Sequence, residues 1–128
     1  MNTRESGNIG EDIACDYLEK NGYRIIARNY YAEHCEIDII CEDDKYLIFT
    51  EVKSRADTSS QKRYGRPARA VNYDKRRHIV TAAKKYMREH PTDKFVRIDV
   101  IEVYINKAYS GLSPAKINHI KGAFGAEG

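Results

Sequence analysis

Apolar and charged residues alternate in the middle of the chain, in two short runs separated by an acidic stretch. The runs at 36–40 and 47–53 are rich in β-branched and apolar residues, and four charged residues at 42–45 lie between them. This pattern predicts a β-hairpin, although the turn lacks the glycine that tight hairpins favour. Charges also stand inside both runs, where a core strand is normally apolar.

The register of this hairpin decides which of its charges meet. Strand side chains alternate between two faces, so Glu36 and Asp38 are predicted to share a face. With the turn centred at 43–44, Glu36 lies opposite Glu51, while Asp38 lies opposite Phe49 and diagonal to Glu51. A shift of one residue would put Asp38 and Glu51 on opposite faces.

In this register three carboxylates and Lys53 converge on one face. Like charges placed opposite each other destabilise a hairpin, and burying them costs more. A divalent cation would offset the repulsion, and hard oxygen ligands favour Mg²⁺ or Mn²⁺. With Lys53 orienting or deprotonating a water, the pattern outlines a site for metal-assisted phosphodiester cleavage. A solvated strand face with a surface Glu–Lys pair is the alternative interpretation.

Composition bounds the class of protein. The 128 residues are 41% hydrophobic and 32% charged, which is typical of one soluble domain spanning 1–128. No stretch approaches the roughly 18 apolar residues of a membrane span, and the first residues contain no apolar signal core, so we expect a cytoplasmic protein without membrane association. Neither a disulfide framework nor a zinc spacing is present, so the cysteines should be reduced and buried: Cys15, Cys35 and Cys41.

Basic residues concentrate in one segment. Between 54 and 77, eight lysines and arginines stand against two aspartates, giving a net charge of +6, whereas the whole chain carries +3. The polar composition and Gly65-Arg66-Pro67 predict a basic, mobile loop at about 54–71, which is long for a small domain. This distribution favours an anionic partner near the loop.

Four further segments have helix or strand periodicity. They are helices at 7–21 and 73–90, and strands at 23–30 and 95–104. Asn72 is expected to cap the second helix, and Asp99 is a second unexpected acid within a strand. The C-terminal piece should cap the core as a short helix or turn through Ile117, Ile120 and Phe124, with a frayed tail at 125–128.

Two positions on the helices are candidates for function. Glu11 lies at the edge of the first helix's apolar stripe, where it either leans toward the core or faces water. Lys75 and Arg76 lie in the first turn of the second helix, where free N–H groups and the helix dipole favour an anion. A phosphate contact and a solvated helix start both fit these two residues.

The chain resembles the YraN family over nearly its whole length. The shared motifs, specific as a group, are Gly10-Glu11, Gly22-Tyr23, Arg28-Asn29-Tyr30, Glu36-Ile37-Asp38-Ile39-Ile40, Phe49-Thr50-Glu51-Val52-Lys53-Ser54-Arg55, Gly65-Arg66-Pro67, Ala70-Val71, Lys75, Arg97-Ile98-Asp99-Val100, His119 and Ala123-Phe124. That family resembles the restriction-endonuclease-like, PD-(D/E)XK superfamily, and within it the archaeal Holliday-junction resolvases. The resemblance implies an α/β (α+β) domain of order α-β-β-β-α-β, with a mixed central sheet flanked by helices.

The resemblance also implies roles for particular residues. Asp38 and Glu51 would be catalytic and bind the metal together with the Val52 carbonyl and Glu11, and Lys53 would be catalytic. Glu36 would be an extra ligand or a supporting acid. Ile37, Cys35 and Thr50 depart from the superfamily's usual Pro, Gly and Val, but none of these departures removes a ligand.

Three functions are therefore open. The first is a metal-dependent DNA endonuclease with Mg²⁺ or Mn²⁺, in which flanking phosphates are held by Arg55, Arg66, Lys75 and Arg76. A branched or distorted DNA substrate and a homodimer are implied only by the resemblance. The second is a nucleic-acid-binding module without turnover, and the third is a protein-interaction module that docks an acidic partner.

Overall fold

A computed structural model describes residues 3–56, 73–105 and 116–125. Asn72 and most of the predicted basic loop, including Arg66, lie outside these ranges. The described elements are α1 (Thr3–Lys20), β1 (Arg24–Ala32), β2 (Cys35–Glu42), β3 (Tyr46–Ala56), α2 (Tyr73–Glu89), β4 (Phe95–Ile105) and β5 (Lys116–Ile120). The four helices and strands predicted outside the hairpin are all present, with bounds shifted by a few residues.

The strands form one mixed sheet in the order β1-β2-β3-β4-β5. Neighbouring strands pair antiparallel except β3 and β4, which run parallel along their whole length and are connected through α2. Such a parallel pair needs a crossover connection, and α2 supplies its helix. The mixed α+β architecture predicted from the sequence is thereby confirmed.

Each helix covers one face of the sheet. On the α1 face, Ala14 and Leu18 pack with Ile39, Ile48 and other buried strand residues. On the α2 face, Ile79 and its neighbours pack with Phe49 and Val100. The regular alternation of β4, where even positions face α2 and odd positions face α1, follows from the pleat of the strand.

The turn between β2 and β3 lies one residue later than predicted. Asp43 donates its N–H to the Tyr46 carbonyl at 3.0 Å, and its Oδ1 accepts the N–H groups of Lys45 and Tyr46 at 2.9 and 2.7 Å. These side-chain bonds stabilise the turn without a glycine. The observed pair Ile40–Phe49 means that the predicted register was wrong by two residues. Because two is the period of a strand, the faces stay as predicted.

The C-terminal prediction also needs correction. Ile117 and Ile120 belong to strand β5, which pairs with β4, rather than to a short helix or turn. A free edge of β4 offers unpaired backbone groups, and an added strand satisfies them. Phe124 follows the strand and packs against the α2-face core, as expected of a cap.

The structure bears on two further expectations. Cys15, Cys35 and Cys41 are free and buried, as predicted. Within the described ranges, no helix is both long and apolar enough to cross a membrane.

Candidate functional site

The pairing of β2 with β3 ends immediately before Asp38. Ile39–Thr50 is the last pair of that ladder, and the Asp38 Oδ2 atom accepts the backbone N–H of Val52 at 2.8 Å. A side-chain carboxylate thus takes the place of the backbone acceptor that the next pair would have supplied. Because the N–H and C=O of a strand residue point to the same side, the Val52 carbonyl is directed toward this gap as well.

Strict alternation of β2 also breaks at this point. Ile37 and Ile40 both pack on the α2 face, while Ile39 packs on the α1 face. In the neighbouring strand, Asn29 adopts a left-handed conformation with φ of 54°, which asparagine tolerates better than most residues. The local irregularity turns Asp38 toward β3, and the register sets it next to Glu51.

Asp38 and Glu51 form a buried pair of like charges. Their exposed fractions are 9% and 4%. Burial, the charge of Glu51 and a hydrogen-bonding contact with its carboxyl group raise the pKa of Asp38 to about 7, against the effect of the Val52 N–H. Two acids held this close share a proton or require a cation.

Two lysines approach this pair from different elements. Lys53 Nζ of β3 lies 3.5 Å from Glu51 Oε2, and Lys75 Nζ from the first turn of α2 lies 3.7 Å from the same oxygen. The other oxygen, Glu51 Oε1, is buried and receives no hydrogen bond from the described residues. An unsatisfied buried carboxylate oxygen is costly, so a cation bound at this oxygen would be stabilised.

Glu11 is brought to the edge of the pair by the close approach of α1 to β3. A Cβ atom at Gly10 would collide with the Ser54 hydroxyl and lie 3.2 Å from Ser54 Cβ, so glycine allows this close approach without a shift of Ser54. The Glu11 side chain is only 13% exposed and lies 3.4 Å from Arg28. Burial and the charge of Asp38 raise the pKa of Glu11 despite Arg28, which resolves the open alternative in favour of a side chain turned away from solvent.

The remaining candidates lie at different distances from the pair. Glu36 is exposed, opposite Tyr31 in the ladder, and it contacts neither Asp38 nor Glu51. The Arg55 Nε atom lies 3.1 Å from Glu102 Oε2. Arg76 places its guanidinium over the Phe124 ring, 5.4 Å from the centroid. The structure therefore brings Lys75 into the cluster but leaves Glu36 outside it.

Sequence reasoning missed one residue of this face. Glu102 is 2% exposed and pairs with Lys53 across the parallel ladder. Its carboxylate accepts hydrogen bonds from Arg55, Tyr104 and Asn118. Its alternation with apolar neighbours is no signal of function, and only its place in a strand covered on both faces would have indicated a buried acid.

The residues around Glu51 fit a divalent cation. Across the described residues, no three His, Cys, Asp or Glu side chains form a metal-binding group by themselves. Mg²⁺, however, is commonly held by one or two carboxylates, with water and substrate phosphate completing its shell. Asp38, Glu51 with its unsatisfied Oε1 and the Val52 carbonyl are oxygen donors of that kind.

Comparison with known proteins shows the family. The model of the uncharacterised protein family UPF0102 matches residues 10–103, and the chain belongs to this family. It is 43% identical over 122 residues to a UPF0102 protein of Clostridium beijerinckii, covering 94% of each chain. It is 38% identical over 126 residues to one of Caldicellulosiruptor bescii, covering 97% of this chain and all of the relative.

Proposed function

We propose that this protein is a metal-dependent endonuclease that cleaves phosphodiester bonds of DNA. The observation that carries the proposal is Glu51 Oε1, a buried carboxylate oxygen to which no described residue donates, beside Asp38 and two lysines. A purely structural acid pair would be expected to satisfy its oxygens within the protein. Here the repulsion between the two buried acids and the open oxygen both favour a cation.

Each residue of the cluster has a place in this chemistry. Asp38, Glu51 and the Val52 carbonyl would hold the cation, and Glu11 lies close enough to Asp38 for burial and the Asp38 charge to raise the Glu11 pKa. A divalent cation in this position supplies Lewis-acid polarisation of the scissile phosphate. Lys53, half-buried beside Glu51, orients the attacking water.

Lys75 supports the binding of an anionic substrate. It lies in the first turn of α2, where free N–H groups and the helix dipole favour a phosphate. Its ammonium group is 3.7 Å from Glu51, so a phosphate bound there would lie beside the acid pair. Phosphate contacts of this kind position nucleic acid without reading its sequence.

The resemblance to the restriction-endonuclease-like superfamily supports the same function. Its similarity to archaeal Holliday-junction resolvases suggests a branched or distorted DNA as the substrate. Cutting two strands symmetrically would then require two copies of the chain. We propose the cytoplasm as the place of action, with Mg²⁺ or Mn²⁺ as cofactor.

A nuclease assay tests the proposal. Labelled four-way junction, nicked, single-stranded and linear DNA are incubated with the protein in Mg²⁺, Mn²⁺ or EDTA. We expect cleavage that requires the metal and falls sharply in Lys53→Ala, whereas Lys84→Ala, an exposed lysine of α2, should cut as the wild type does.

The alternatives have distinct outcomes in the same assay. Metal-independent binding without cleavage would overturn the enzyme and indicate a nucleic-acid-binding module. Neither binding nor cleavage on any DNA would favour a protein-interaction role.

A further inference from the structure

Glu102 is a carboxylate buried beside the candidate site, and three donors hold it. Arg55 Nε lies 3.1 Å from its Oε2, while the Tyr104 hydroxyl and Asn118 Nδ2 reach Oε1 at 2.8 and 3.1 Å. Tyr104 and Glu102 belong to β4, Asn118 to β5 and Arg55 to β3. The carboxylate is thus fixed from three strands.

Arg55 is the exposed end of this network. Its side chain is 41% exposed, in contrast with 2% for Glu102. A guanidinium has five N–H donors in a rigid plane. Since Glu102 accepts from Nε on one edge of this plane, the N–H groups on the far edge of the guanidinium are directed away from the carboxylate.

Arg55 also belongs to the row of residues that carries the proposed chemistry. Positions 51, 53 and 55 of β3 lie on one face because strand side chains repeat with period two. Lys53 is the ladder partner of Glu102. Arg55 therefore lies two residues beyond Lys53 on the same face, one strand repeat farther from the acid pair.

We propose that Glu102 is a positioning residue that orients Arg55 to bind a backbone phosphate of the nucleic acid, flanking the phosphate to be cleaved. This inference rests on the proposed function. A guanidinium held in one orientation loses less conformational entropy when it binds than a free surface arginine does. The buried charge of Glu102 is tolerated because the three hydrogen-bond donors satisfy both of its carboxylate oxygens.

Charge alone and the positioning role predict opposite effects of a Glu102 substitution on DNA affinity, and this difference makes the proposal testable. Glu102→Gln removes a negative charge beside a bound polyanion, so charge alone would tighten DNA binding. If Glu102 positions Arg55, the same substitution weakens binding instead. Glutamine keeps the size of the side chain but loses the charge that holds the guanidinium.

The experiment measures binding of a labelled four-way junction and a labelled duplex in Ca²⁺, at several salt concentrations. Arg55→Gln should weaken binding and lower the slope of log affinity against log salt by about 0.9, the value for one phosphate contact. We expect Glu102→Gln to weaken binding, to lower the slope toward that of Arg55→Gln, and to add nothing further in the double variant.

A second variant tests the same role with a smaller change to the fold. Tyr104→Phe keeps the ring and removes one hydroxyl that holds the carboxylate, and should shift binding in the same direction by a smaller factor. A thermal melt of each variant reports stability separately. A structural role alone would lower the melting temperature and leave the salt slope unchanged.

The outcomes distinguish a failure of the positioning role of Glu102 from a failure of the proposed function. Wild-type protein that binds DNA, with Glu102→Gln binding equally well or more tightly, would overturn the positioning role and leave the proposed function standing. Wild-type protein that binds neither DNA at any salt concentration would overturn both.

Discussion

The Val52 N–H donates to Asp38 Oδ2 at 2.8 Å, and this one bond ends the pairing of β2 with β3. It occupies one oxygen of Asp38 and sets the carboxyl group next to Glu51. Burial and the neighbouring charge of Glu51 raise the pKa of Asp38 to about 7, although the bond from Val52 acts to lower it. Energy stored as repulsion between two buried acids is a feature of functional sites more than of structural ones.

Removing one acid of the pair should stabilise the metal-free protein. We expect Glu51→Gln to raise the free energy of unfolding at pH 8 in EDTA by ~1 kcal/mol, because the charge of Asp38 then has no buried like charge beside it. Urea denaturation measures the change. A loss of stability would show that the salt bridges to Lys53 and Lys75 outweigh the repulsion.

The same variant should lose its response to metal. A ligand that binds only the folded state stabilises it by about 2.7 kcal/mol at a hundred times its dissociation constant. Mn²⁺ should therefore raise the melting temperature of the wild-type protein and leave that of Glu51→Gln unchanged. Glu36→Gln, which alters an exposed acid outside the cluster, is the matched control and should respond to Mn²⁺ as the wild type does.

Asp38 should make metal-free stability fall as pH rises. Folded Asp38 keeps its proton to about pH 7, whereas the unfolded chain loses it near 3.8. The folded state binds more protons in this window, so the free energy of unfolding decreases as pH rises from about 4 to about 7, by an amount on the order of 4 kcal/mol. Unfolding in EDTA at pH 5.5 and pH 8 tests the sign, and Asp38→Asn should flatten the trend.

The two lysines should differ kinetically. Lys53→Met is expected to lower kcat by ~10²-fold or more, because an oriented proton-transfer group contributes about that much. Lys75→Met should act mainly on KM, since a phosphate contact is made in the ground state as well as in the transition state. Steady-state kinetics on one labelled substrate separates them. Equal effects on kcat would show that both lysines act in the chemical step.

Asp99, another buried acid, should have a structural role. Asp99 is fully buried and accepts hydrogen bonds from Arg97, His119 and Gly122. Burial acts to raise its pKa, but the bonds from His119 and Arg97 outweigh burial and lower it. We expect Asp99→Asn to reduce the free energy of unfolding by about 3 kcal/mol, because Arg97 loses its buried partner. Exposed Asp93→Asn should change stability by about 0.5 kcal/mol or less.

Acid unfolding gives an independent check on Asp99. A lowered pKa means that Asp99 stabilises the fold above its unfolded value of 3.8, and that this contribution disappears as pH falls through the lowered value. The wild-type protein should thus lose stability more steeply than Asp99→Asn at acidic pH. Parallel acid transitions would contradict this role.

The predictable parts of the fold are those that the local periodicity of apolar residues indicates. Two helices and four strands follow from apolar spacing, and the shared face of Asp38 and Glu51 survived because the register error was an even number. Strand β5 could not be predicted, because its short run of residues is partly buried only through pairing with β4 and packing on the two cores.

The residue pattern alone predicted the cluster only where its members lie close in sequence; Glu11 was named a metal ligand through the resemblance, and Lys75 was expected at a phosphate. Asp38, Glu51 and Lys53 belong to one hairpin, so their alternation already suggested a cluster. Glu102 depends on Arg55 and Asn118 from other strands, and no local pattern signals such a contact. Glu36 lies outside the cluster because the alternation of β2 breaks at Asp38. This break lies beside Asn29, which has a left-handed conformation in the neighbouring strand.

The measurement that tests the proposed endonuclease activity most directly compares the wild-type protein with Glu51→Ala on one labelled four-way junction, in Mg²⁺ for cleavage and in Ca²⁺ for binding. We expect the variant to bind the junction nearly as well as the wild type and to leave it uncut. Cleavage by Glu51→Ala at the wild-type rate, or loss of binding together with loss of the fold, would contradict the assignment of Glu51 as a metal ligand.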